Sequence, residues 1–328
     1  MRAVLPTTDP SDPTPRLGDL PDPVPGRGEV LLAVAAAGLN HADLLQLRGH
    51  YPPPPGEPEV PGLECAGTVL AVGEGVSGWR EGERAMALLG GGGLATRVAA
   101  PSGQCMRVPE NLSLVEAAAV PEAGLTAWTH MVVEGGLRAG EAALVTGATG
   151  GMGTFAVQLA RELGARVVAA ARDEARLGRL REHGIEALVP EGEGYAERLR
   201  AAAGGAGIDV VLDFVGGAEV AARLAALATG GRLVVAGLLA GARAELDLAL
   251  VLRRRLRLIG TVLRARPRAE KARLVAAFAD FALPRLADGR LRPVIDRVLP
   301  LEHASEAFAA LARGGVFGKI VLAMDGAA

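Results

Sequence analysis

The sequence predicts an α/β protein in which a doubly wound parallel sheet is joined to a second, β-rich portion. Three observations predict it. Residues Ala143 to Arg172 run as an apolar strand, a glycine-rich turn, an amphipathic helix and a second apolar strand. From about residue 122 helical and apolar strand segments alternate, the pattern of a parallel sheet with right-handed crossovers. Before that point, short strand-like runs are punctuated by Gly and Pro instead.

Strands are expected in the β-rich portion at 30–37, 65–72, 84–88 and 95–99, separated by clusters such as Pro52 to Gly56 and Gly90 to Gly93. The parallel sheet follows with strands at 143–146, 166–171, 210–214, 232–237 and 256–263. After Arg266 the pattern predicts a helix through Leu286, a strand at 293–299, a helix at 302–312 and a last strand at 319–323. This tail is too short to stand alone and is expected to rejoin the first portion. With 328 residues two domains are the starting expectation. The reading is a β-rich domain over 1–121, a parallel-sheet domain over 122–265 and a return segment over 266–328.

The central turn carries Gly147, Gly150, Gly151 and Gly153. The spacing is Gly-x-x-Gly-Gly-x-Gly, not the strict Gly-x-Gly-x-x-Gly. A strand before it and a helix after it would bring backbone N–H groups and the positive helix end against a pyrophosphate. Phe155, Leu159 and Leu163 lie on one helical face, and Gly164 stands where a left-handed cap would end the helix. The plainer alternative is a tight strand-to-helix turn with no ligand. Cofactor choice is read at the end of the second strand, where an NAD site places Asp or Glu against the ribose 2′-hydroxyl. Here Ala171 stands there, followed by Arg172 and Arg176. Two guanidiniums can donate to a 2′-phosphate, so the site reads as NADPH. Asp173 and Glu174 beside them keep open the alternative of solvated helix-start charges.

A net charge of −2 and a pI near 6.3 argue against a general nucleic-acid surface. The densest basic run, Arg253 to Arg257 with Leu256 inside it, reads as a solvated helix end. All but two of the 35 basic residues are arginine, the exceptions being Lys271 and Lys319. Cys65 and Cys105 cannot build a disulfide scaffold or a Cys-rich zinc site. No export signal and no 18-residue apolar stretch is visible, so a soluble, cytoplasmic protein in a reducing compartment, with no membrane partner, is expected.

Several runs together carry a family likeness: Gly38-Leu-Asn40-His-Ala-Asp43, Arg48-Gly-His-Tyr51-Pro-Pro-Pro-Pro-Gly56, Pro61-Gly-Leu-Glu64-Cys-Ala-Gly67, Ala117 to Ala127, the glycine turn, Asp209 to Gly217 and Gly318-Lys319-Ile-Val-Leu322. On these the chain resembles the medium-chain dehydrogenase/reductase superfamily, within it the zinc-independent, zeta-crystallin-like quinone oxidoreductases. The resemblance implies a Rossmann cofactor domain and a GroES-like catalytic domain, with an acceptor bound in the cleft between them. Zinc-dependent relatives carry a metal-binding Cys where Asn40 stands and a His where Leu63 stands. Neither an amide nor an isobutyl group replaces those ligands, so no metal is expected.

The same resemblance implies that Thr126 lies on the nicotinamide side and that Gly150, Gly151 and Met152 contact the diphosphate. Arg172 and Arg176 take the 2′-phosphate, and Gly237, Leu263 and Lys319 complete the cofactor contacts. Asn40, Asp43 and Tyr51 line the substrate cleft. Two departures stand out. Leu45 replaces a frequent Tyr, and Val189-Pro190-Glu191 replaces the usual Asn-Tyr that helps hold the adenosine phosphate.

Without a metal, the protein must hold an acceptor against the nicotinamide and exclude water. Quinones and enones spread incoming charge through their own conjugation, and a donor near the forming oxyanion assists. Tyr51 is the best donor, unless it merely packs on the neighbouring prolines. Asn40 would orient backbone or substrate, and Asp43 more readily caps than catalyses. The reading is NADPH-dependent reduction of quinones, or of α,β-unsaturated carbonyls, by a homodimer paired along the strand 256–263. The alternative is a dinucleotide-binding protein with a structural or RNA-binding role.

Overall fold

The structure is a computed structural model describing residues 1–5, 12 and 14–324. Backbone contacts divide the chain into one unit of Met1–Leu125 with Leu263–Ala328, and a second of Thr126–Val262. The sequence-based breaks fell at 121 and 265.

The first unit begins with β1 (Arg2–Leu5) paired antiparallel to β2 (Arg16–Asp19). Its main sheet is built on β3 (Glu29–Gly38), where Val30, Leu32, Val34 and Ala36 are buried in alternation with less buried neighbours. The helix His41–Leu47 follows, then β4 (Glu64–Val72), β5 (Arg84–Leu88), β6 (Arg97–Pro101) and β7 (Cys105–Arg107). β4 pairs with β3, β5 with β4 and β7 with β5, all antiparallel. β6 pairs with Glu29–Ala33 of β3.

The second unit carries β8 (Ala142–Val145), β9 (Arg166–Ala171), β10 (Ala187–Pro190), β11 (Ile208–Asp213), β12 (Leu227–Val235) and β13 (Arg257–Gly260). They form one sheet in the order β10-β9-β8-β11-β12-β13, every pair parallel. Leu144, Val168, Val211 and Leu233 form its buried centre, as expected when both faces of a parallel sheet are covered. The predicted helix spans Gly151–Glu162, buries Phe155 and Leu159, and leads into Gly164 at φ 79°, the expected left-handed residue. The last expected strand is shorter than predicted, four residues at the sheet edge. The preceding helix Leu248–Arg254 ends at Arg255 in a left-handed conformation (φ 53°), and the strand then runs only over Arg257–Gly260, so most of the shortening lies at its far end, over 261–263.

The return segment supplies the helix Arg268–Ala287, then β14 (Ile295–Pro300), the helix Ala304–Arg313 and β15 (Lys319–Ala323). β15 pairs antiparallel with Ala36–Gly38 of β3, and β14 pairs parallel with β15. The tail thus completes the first sheet, and Phe308, Ile320 and Leu322 join Leu32, Val34 and Leu47 in one core. Among the described residues no helix is long and apolar enough to cross a membrane.

Candidate active site

The glycine turn lies between β8 and the helix Gly151–Glu162. Each glycine can be judged by what a Cβ would meet. At Gly153 it would lie 2.3 Å from the Gly147 carbonyl oxygen and 2.6 Å from Ala148 Cα, so only glycine fits. At Gly150 the nearest atom is the Gly147 oxygen at 3.5 Å, which leaves room for a ligand to approach the backbone. The first N–H groups of the helix, at Gly151, Met152 and Gly153, have no acceptor within the helix and face the turn. This is a cradle for an anion, and its donor set fits the pyrophosphate of a dinucleotide.

Beyond β9 the two predicted arginines part company. Arg176 is engaged locally: its Nε donates to Asp173 Oδ2 at 2.7 Å, while Asp173 caps the helix Glu174–Gly178 by accepting from the Arg176 N–H at 2.9 Å. Arg172 is exposed, with no hydrogen bond or ion pair among the described residues.

Behind the turn lies a buried network that sequence reasoning missed. Asp213, at the end of β11, accepts from Thr146 Oγ1 (2.8 Å) and the N–H groups of Val215 (2.9 Å) and Gly216 (3.2 Å). Arg223, fully buried, donates through Nη1 to Asp213 at 3.1 Å and through Nη2 to Glu191 at 3.1 Å. The signal was an arginine inside the apolar run 220–227 with a carboxylate just before the glycine pair. Gly237 is drawn into the same place, its N–H donating to the Asp213 carbonyl at 3.1 Å. Thr126 is buried at the unit's start, and its carbonyl accepts from His130 Nδ1 at 2.6 Å, where the chain continues as a π-helix over Thr129–Glu134.

In the first unit Asn40, Asp43 and Lys319 come together, around a residue sequence reasoning assigned no role: Glu64. Glu64 is fully buried at the start of β4 and accepts from Asn40 Nδ2 at 3.0 Å, from the Glu122 N–H at 2.9 Å and from Lys319 Nζ. Lys319 also donates to Asn40 Oδ1 at 2.7 Å. Both ends of the Asn40 amide are therefore bonded inside the protein. Asp43, also fully buried, accepts from the Asn40 N–H at 2.8 Å and the Gly62 N–H at 2.9 Å. It caps the helix His41–Leu47 and pins the 61–64 turn. Burial pushes its carboxyl up to about 6 against those hydrogen bonds.

Tyr51 sits half-buried under the guanidinium of Arg264, 5.1 Å from the ring centre, a cation–π pairing beyond proline packing. Arg264 was also missed. It donates to the carbonyls of Gly90 (2.8 Å) and Tyr51 (3.0 Å) and to Gln46 Oε1 (2.6 Å), fixing the proline-rich loop to the first helix. Burial raises the Tyr51 phenol above its ordinary value, with Glu122 adding to the shift, so the hydroxyl stays a donor at neutral pH. Leu263 is buried beside Arg264 in sequence and offers only apolar surface. His41 and His50 are exposed. Burial raises both thiols, Cys105 to about 12, so neither is a nucleophile at neutral pH.

Residues 26–110 match the alcohol dehydrogenase GroES-like domain family and residues 151–280 the zinc-binding dehydrogenase family. Quinone oxidoreductase-like protein 2 of Bos taurus is 32% identical over 298 residues, 90% of this chain and 85% of that protein. The chain belongs to the medium-chain dehydrogenase/reductase superfamily, in its zeta-crystallin-like branch. A crystal structure of the quinone oxidoreductase of Thermus thermophilus, studied also with NADPH, superposes with a TM-score of 0.80 at 39% identity, over 98% of this chain and 100% of that one. A mycocerosic acid synthase-like polyketide synthase of Mycobacterium tuberculosis is 39% identical over 214 residues, 65% of this chain but 10% of that protein. The first unit is thus GroES-like and the second a Rossmann domain, the oxidoreductase architecture the resemblance implied.

Proposed function

We propose that the chain is an NADPH-dependent, metal-free reductase of quinones. The observation that carries this reading is the pairing of an open glycine cradle with an unpartnered Arg172 just past Ala171, where a carboxylate would otherwise accept from a free 2′-hydroxyl. The likeness to quinone oxidoreductases supports the acceptor class. In this reading NADPH supplies a hydride which, with a proton, reduces a quinone to its hydroquinone. The N–H groups of Gly151, Met152 and Gly153 hold the diphosphate, and Arg172 the 2′-phosphate. Tyr51, kept protonated by burial and held in place under the Arg264 guanidinium, donates to the acceptor oxygen as charge develops there. Metal independence rests on residue type: Asn40 and Leu63 offer no thiolate or imidazole, and the Asn40 amide is bound to Glu64 and Lys319. A homodimer belongs to the same reading. β13 is a sheet edge with Leu258 and Val262 exposed beside it, a surface made safe by pairing with a second copy.

The test is NADPH oxidation with a simple benzoquinone and, separately, an alkenone, each with and without a chelator. Quinone-dependent turnover that survives chelation is the expected result. Turnover with the alkenone alone would move the acceptor to α,β-unsaturated carbonyls. No turnover with either, or loss on chelation, would overturn the reading.

A further inference from the structure

We infer that Glu191 is a specificity-determining residue that reads the adenosine ribose against Arg172, with Arg223 as its positioning residue. The inference rests on the NADPH reading of the second unit. In the parallel register of β10 with β9, Pro190 is the partner of Ala171, and the Glu191 N–H donates to the Ala171 carbonyl at 3.3 Å. Ala171 is where a Rossmann domain places its ribose-reading carboxylate. This chain lacks that carboxylate on β9 and has one on the adjacent strand end instead.

The carboxylate is held for such a task. Glu191 Oε1 accepts from Arg223 Nη2 at 3.1 Å, and Arg223 is anchored in turn on both Asp213 oxygens and on the Gly216 carbonyl at 3.0 Å. The Glu191 side chain is 10% exposed, and its Oε2 has no hydrogen-bond partner among the described residues. One oxygen is fixed and the other left open, the arrangement that accepts a bond from a ribose hydroxyl. The same charge opposes a 2′-phosphate. The unpartnered Arg172 follows Ala171, whose carbonyl takes the Glu191 N–H, and Arg198 donates to the carbonyl of Pro190, just before Glu191, at 2.7 Å. Cations thus favour NADPH while Glu191 subtracts from that preference, and Arg223 keeps Glu191 from swinging onto Arg172.

Binding of adenosine 2′,5′-bisphosphate and of ADP, followed by calorimetry, separates the ribose subsite from the chemistry. Glu191→Gln keeps the shape and removes the charge, so affinity for the bisphosphate should rise by about three- to tenfold, the scale of one partly screened charge a few ångströms away. ADP, whose ribose hydroxyl then meets a neutral amide oxygen in place of a carboxylate, should weaken by about two- to fivefold. Arg223→Lys, which cannot bridge both carboxylates, should shift the ratio the other way, with thermal unfolding checking that the variant is folded. If Glu191→Gln binds both fragments as the wild type does, or gains equally for both, the inference is wrong. If the wild type binds neither fragment nor NADPH, the dinucleotide reading beneath it fails as well.

Discussion

The two units each bury a charged cluster, and they do opposite things with it. In the first, Glu64, Lys319, Asn40 and Asp43 answer one another and the backbone, with both Asn40 side-chain atoms and both Asp43 oxygens bonded internally. In the second, Asp213, Arg223 and Glu191 brace a turn whose helix N–H groups, Gly150 face and Arg172 are left open. Buried charge in the first case sets a scaffold and in the second aims a site at a ligand. Motif residues quoted from family resemblance therefore divide by what is left unbonded, and only the open set carries a ligand argument.

The largest expected effect breaks the closed cluster. Lys319→Met leaves Glu64 buried without its cation and should cost about 3–5 kcal/mol of stability in urea unfolding. Adding Glu64→Gln should return much of that loss, because no lone charge then stays buried. A double variant as unstable as the single one would show that the two residues are not coupled.

A smaller effect tests the open region. Gly153→Ala drives a Cβ into the Gly147 carbonyl and should cost about 1–3 kcal/mol, as overpacking does, while weakening NADPH. A variant with unchanged melting and NADPH affinity would remove the close approach from the account.

The smallest concerns Asp43. Its folded-state value of about 6 lies above the ordinary aspartate value, so between the two the folded chain binds a proton that the unfolded chain does not. Its contribution to stability therefore rises as pH falls through about 6 and is lost as pH rises through it. Asp43→Asn should flatten that part of the stability profile, and an unchanged profile would contradict the assignment.

The open region was more legible in the sequence than the closed one. The glycines, Phe155, Gly164 and Arg172 act through neighbours within one strand-turn-helix unit, so spacing alone exposes them. Glu64 and Lys319 are 255 residues apart and meet only because β15 returns to pair with β3. Arg264 reaches Gln46 across 218 residues in the same way. The pairing of Arg176 is local but was not read from the sequence: Asp173, three residues before it, bonds both its backbone and its guanidinium. β1, β2 and β7 are strands of three or four residues, too short to show the alternation that revealed β3.

The central claim is that the end of β9 selects a 2′-phosphate, and binding of NADPH against NADH to three proteins tests it most directly. Arg172→Ala removes charge-assisted bonds of about 1.5–3 kcal/mol, so NADPH should weaken about ten- to a hundredfold while NADH is spared. Ala171→Asp restores a carboxylate beside the ribose and should swing the preference toward NADH. Wild type binding both cofactors equally, with neither variant altering the ratio, would contradict the account.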